Sequence, residues 1–214
     1  MKEKINVTIE ETSAAMLDLL QGGKQAHPLL AWWSSALSLR TELVRNGNNT
    51  RVISQYVNTG LPSRDVLKSQ LLGVMESQLD TLYALESLYN QGVINFDCGT
   101  TLSEQRAWRE KMVSIIPGMA CKLVSWACFI YKPYETLLLT VDCHHANRMG
   151  IDQSTIAGTS KCKQAAYYQA EEKLLAECRA LYPELPPTVV AACLWLNYRG
   201  VGVTSHAAIS CRWY

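Results

Sequence analysis

Apolar residues recur at intervals of three and four through most of the chain, the period of an amphipathic helix. Leu67, Leu71, Leu72, Met75, Leu79, Leu82, Leu85 and Leu88 keep that spacing longest, with Ser63 placed as an N-cap and Gly92 as a stop. The spacing predicts one long helix over 64–90. Thr8 and Glu11 form a capping box, and Gly22-Gly23 closes a first helix at about 9–21. Pro28 suits the first turn of a second helix, which Asn46-Gly47 would end. Its Leu29, Leu30, Trp33, Leu37 and Val44 make a broad apolar stripe, and Trp32-Trp33 reads as core.

Further on, Val93–Phe96 is a short apolar run that predicts a strand. Thr101 and Glu104 form another capping box ahead of a helix at 102–115, which Pro117-Gly118 breaks. Met119–Tyr131 reads as a buried helix or strand, broken in turn by Lys132-Pro133, with a helix restarting near Tyr134. Gln164–Leu181 is helical again, with Glu171, Glu172 and Lys173 on a solvated face. Pro183, Pro186 and Pro187 mark a turn or linker. The stretch 188–214 is apolar and aromatic (Trp195, Tyr198, Trp213, Tyr214) and is interrupted by Gly200 and Gly202. The pattern is that of a mainly all-α helical bundle, with Val93–Phe96 as a short β-hairpin or wing. Asp97-Cys98-Gly99-Thr100 interrupts the helices and suggests two regions, 1–97 and 98–214; a single domain is the alternative.

Composition narrows the function. With 48% hydrophobic and 18% charged residues among 214, the chain can bury a core and is not a disordered one. A formal net charge of +1 excludes a strongly basic coat or an acidic tail. The residues Met1–Asn6 show no apolar signal core, and no apolar run reaches the roughly 18 residues of a bilayer span. The eight cysteines are spread over the second half, with no pair at CxxC spacing, and read as reduced, mostly buried thiols of a cytoplasmic protein. Cys143-His144-His145, with Cys162 further on, lacks the paired spacing of a zinc site, so neither a metal nor another cofactor is expected.

One stretch carries a functional signal. In Asp142–Ala157, Ala146 is small enough for close helix approach, and Gly150 follows four residues later at a turn. Met149, Ile151 and Ile156 are apolar positions around that turn. This stretch resembles the helix-turn-helix of phage and bacterial regulators, and Gly150-Ile151-Asp152-Gln153-Ser154-Thr155-Ile156 is its most similar part. The resemblance implies a DNA-binding regulator of a phage or mobile element, with double-stranded DNA as its partner. It would work as a homodimer or with a protein partner. Gln153, Ser154 and Ala157 would face base edges, and Arg148 and Lys161 would meet phosphates. Two features depart from the family: Gly158 would lie within the recognition helix, and Thr159 stands where a large apolar residue is usual. Between 142 and 181, Arg148, Lys161, Lys163, Lys173 and Arg179 are balanced by Asp142, Asp152, Glu171, Glu172 and Glu177. Weaker echoes lie at Val52–Leu71, which with Val93–Phe96 could complete a winged helix, and at Gly202–Ile209.

Enzyme signatures are missing from the sequence. There is no G-x-S-x-G, P-loop, G-x-G-x-x-G or H-E-x-x-H motif, and carboxylates are scattered rather than paired. His27, His144, His145 and His206 offer too many combinations with eight cysteines to select a nucleophilic pair, so a cysteine-dependent enzyme is a third class behind two non-enzymatic ones. The second class is a helical protein–protein interaction subunit or inhibitor acting on a nucleic-acid-processing complex, favoured by the near-neutral charge and the aromatic 188–214 stretch.

Overall fold

The computed structural model describes residues 27–39 and 43–198. The helix expected at 9–21, the echo at Gly202–Ile209 and the apolar residues beyond 198 lie outside them. Among the described residues there are ten helices and no strand.

Helix α1 (Pro28–Leu37) starts as its residues require. Pro28 takes the first position, and His27 Nδ1 accepts the Leu29 N–H at 3.2 Å. Ala31, Trp32, Trp33, Ala36 and Leu37 leave almost no surface, so this helix is apolar all round and sits at the centre. Around it pack α2 (Leu43–Ser54), α4 (Glu76–Asn90) and α6 (Cys121–Tyr131). Trp32 stacks on Phe96 at 4.7 Å and lies 5.9 Å from Trp108. The carbonyls at the end of α1 are met by Gln78 Nε2, which donates to Ala36 and Leu37 at 3.2 Å.

Two helix boundaries differ from expectation. Asn46-Gly47 does not end a helix but lies inside α2, both residues buried against α1. A glycine there permits close approach, and packing outweighs its low helix propensity of about 1 kcal/mol. The long helix expected over 64–90 is two: α3 (Arg64–Gln70) and α4. The break holds Gly73 at φ +61, and buried Asn49 clamps it, accepting the Leu72 N–H at 2.8 Å and donating to the Leu72 carbonyl at 3.1 Å. A regular leucine spacing cannot reveal a clamp supplied by another helix.

Gly92 ends α4 at φ +69. Val93–Phe96 forms no strand among the described residues, so no wing forms; Ile94 and Phe96 are instead buried in the core. Helix α5 (Leu102–Ile115) starts on its capping box: Thr101 Oγ1 accepts the Glu104 N–H at 3.2 Å, and Glu104 Oε2 accepts the Thr101 N–H at 2.9 Å. Gly118, at φ +78, turns the chain into α6, where a Cβ would stand 2.6 Å from Thr81 Oγ1.

No helix restarts at Tyr134. After a turn at 133–135 the chain runs without regular secondary structure through 136–142 into α7 (Cys143–Arg148), α8 (Gln153–Ile156), α9 (Lys161–Leu181) and α10 (Pro187–Tyr198). Pro187 opens α10, so the proline-rich stretch is a tight corner rather than a linker. One apolar core runs from Leu29 to Leu194, and Phe96 and Trp108 join it from opposite sides of 97–101. No described helix is long and apolar enough to cross a membrane.

Candidate active site and nucleic-acid contacts

The turn between α7 and α8 forms as its residues require. Ala146 is fully buried, Ile156 is buried, and Met149 and Ile151 are half-buried. Gly150 takes φ +67, and the Ile151 N–H donates to the Ala146 carbonyl at 2.8 Å. The second helix, however, is a single turn of four residues, about 6 Å long. The chain leaves the helical region at Ala157 (φ −87, ψ 113), and Gly158 follows at φ +137. The expected recognition helix is therefore replaced by one exposed turn. Gln153, Ser154 and Ala157 are exposed on it, but the Ser154 hydroxyl donates to Asp152 Oδ2 at 2.7 Å. Arg148 is exposed, with Nη2 3.9 Å from Glu177 Oε1, and Lys161 is exposed where α9 begins.

The concentrated chemistry lies one step earlier, at Asp142. This side chain is buried and caps α7, Oδ1 accepting the N–H groups of His144 (2.9 Å) and His145 (3.2 Å). Oδ2 accepts the Trp195 indole N–H at 2.5 Å. His145 Nδ1 faces Oδ1 at 3.2 Å, while its Nε2–H is donated to the Ala191 carbonyl at 3.1 Å. Burial alone would raise the carboxyl's pKa. The hydrogen bond and charge of His145, the ammonium of Lys122 and the Trp195 indole outweigh it and hold Asp142 far below the usual carboxylate range. Asp142 is thus a buried carboxylate whose partners favour its charged form.

Lys122 is half-buried in the first turn of α6. A cation there opposes the positive end of the helix dipole, a conflict of about 0.3–1 kcal/mol, and the rest of α6 is apolar apart from Ser125.

A buried ionic frame carries Asp142. Arg109 and Glu171 are fully buried and joined by two hydrogen bonds, Nη1 to Oε1 at 2.6 Å and Nη2 to Oε2 at 2.9 Å. Arg109 Nη1 also donates to Ser125 Oγ at 2.8 Å, and Arg106 Nε donates to Glu171 Oε2 at 2.9 Å. Arg109 lies over the rings of Tyr167 and Tyr168, at 5.1 and 4.8 Å. Glu171 is therefore not on the wet face expected for Glu171-Glu172-Lys173; only its two neighbours are exposed. Gln105 Oε1 accepts the Leu137 N–H at 2.7 Å and Glu171 Oε1 the Leu139 N–H at 3.1 Å, so α5 and α9 together hold the 136–142 segment.

Asp142, Cys143 and His144 bring a carboxylate oxygen, a sulfur and a ring nitrogen within 4.8 Å of one another. The Asp142 oxygens are already engaged by two backbone N–H groups and the indole, so a cation there would compete with the α7 cap.

No protein-family model, no curated protein and no solved structure matches this chain.

Proposed function

We propose that this chain is a DNA-binding regulatory protein that meets double-stranded DNA through the turn between α7 and α8. The observation that carries this reading is the exposed turn that presents Gln153, Ser154 and Ala157, with Arg148 and Lys161 exposed on the helices either side of it.

Arg148 and Lys161 offer phosphate contacts, and Gln153, Ser154 and Ala157 are exposed between them. A four-residue α8 suits contact with the DNA backbone better than reading of a major groove.

The test is fluorescence polarisation against a pool of labelled duplex DNA. Binding should weaken steeply between 50 and 200 mM salt, and Gln153→Ala and Ser154→Ala should weaken it without unfolding the chain. No binding at 50 mM salt would overturn the reading. A second reading, a helical interaction subunit, is favoured by the exposed Val66 and Leu72 beside α3. It requires no DNA affinity even at low salt.

A further inference from the structure

Two thiols meet where the segment between α4 and α5 crosses α6. Cys98 Sγ and Cys128 Sγ are 4.0 Å apart, and both residues are buried. They reach this contact differently. Cys128 is fixed in the body of α6 with no exposure. Cys98 lies in a segment that forms neither helix nor strand, next to Gly99 at φ +76. Its side chain is 4% exposed, while Asp97, Gly99 and Thr100 around it are exposed, so one layer of loop separates the sulfur from water. Neighbouring contacts hold the loop over the helix: Phe96 stacks on Tyr131 of α6 at 4.4 Å, and Gln105 Nε2 donates to the Gly99 carbonyl at 3.2 Å. A disulfide needs its sulfurs about 2.05 Å apart, so closure asks for an approach of ~2 Å.

The two sulfurs are also unequal. Lys132 follows Cys128 by one helical turn, its N–H donating to the Cys128 carbonyl at 2.7 Å. The Cys128 thiol, with the Lys132 charge, favours a thiolate at Cys98 against the effect of burial. The hydrogen bond to Cys98 and burial push Cys128 the other way. The thiolate is the nucleophile of thiol chemistry, so Cys98 is placed to attack and Cys128 to resolve.

We propose that Cys98 and Cys128 form a redox-active dithiol, which hydrogen peroxide closes to a disulfide and a dithiol reductant reopens. The Cys98 thiolate attacks one peroxide oxygen, and the O–O bond breaks to give a sulfenic acid and hydroxide. The Cys128 sulfur, losing its proton, attacks the Cys98 sulfur, and the S–O bond breaks with loss of a second hydroxide. The two thiol protons turn both hydroxides into water. Two electrons pass from the sulfurs to the peroxide. The new bond ties the 93–100 segment to α6 and restricts the unfolded chain.

The test uses the full chain, reduced, freed of reductant, treated with equimolar hydrogen peroxide at pH 7 and alkylated after denaturation. The mass should fall by two hydrogens, and peptide fragmentation should join Cys98 to Cys128. The unfolding temperature should rise by about 5 °C or more, and dithiothreitol should reverse both changes. In Cys128→Ser the disulfide should be lost and dimedone should capture Cys98 as its sulfenic acid. In Cys98→Ser, Cys128 should stay a thiol. The wild-type readings do not depend on either variant folding. Oxidation of exposed Cys162 while Cys98 and Cys128 stay thiols would overturn the proposal, as would a bond from either to another cysteine. An unchanged unfolding temperature after closure would remove the claim that the bond ties the loop to α6.

Discussion

The buried pair of Arg109 and Glu171 gives the most direct test of the frame under the site. Glu171→Gln keeps the size and one acceptor oxygen, so the Leu139 N–H retains a partner. Arg106 is 17% exposed and still reaches Glu172 at 2.8 Å, so it loses little. The cost falls on Arg109, which has no exposure and would hold an uncompensated charge in the core. Breaking one side of a buried pair costs about 3–5 kcal/mol. At roughly 2–4 °C per kcal/mol for a chain of this size, Tm should fall by about 10 °C. Urea denaturation followed by tryptophan fluorescence measures the change. Adding Arg109→Met removes the stranded charge, and the double variant should be less destabilised than the two single changes summed, by about 2 kcal/mol or more. A cost below about 1 kcal/mol for Glu171→Gln, or simple additivity in the double variant, refutes the claim that the pair works as one buried unit.

Two further predictions follow from groups whose ionisation the fold perturbs. Asp142 has its folded pKa depressed, so its stabilising charge is fully present above the ordinary carboxylate pKa and is lost as pH falls below it. The stability difference between wild type and Asp142→Asn should be constant above about pH 5 and shrink below pH 4; a difference independent of pH to acid would contradict the assignment. Cys98 lies 4.0 Å from Cys128, sulfur to sulfur, and the Cys128 thiol together with the Lys132 charge lowers it to about 7, whereas burial pushes Cys178 up to about 12. Mass-spectrometric alkylation should show a midpoint near 7 for Cys98 that rises in Cys128→Ala, with Cys178 inert. A midpoint unmoved by Cys128→Ala would show that the neighbouring thiol is not the cause.

How much of this was legible in the residues depends on how local each signal is. The capping box of Thr101 and Glu104, the stops at Gly92 and Gly118 and the turn at Gly150 are written in a few consecutive residues, and each forms as those residues require. The all-α class follows from the apolar period, and the burial of Trp32 and Trp33 from an apolar run inside it. Among the described residues, these features needed nothing from the rest of the chain.

What only the tertiary structure decided has partners far apart in sequence. The break between α3 and α4 depends on Asn49, more than 20 residues earlier, and the 136–142 segment on side chains of α5 and α9. Glu171 looked like one of three surface charges because its neighbours are exposed; Arg109, 62 residues away, makes it core. Local propensity acts over one helical turn. A buried charge or an unpaired backbone group, by contrast, is satisfied by whatever the fold carries to it, and that partner is decided by packing.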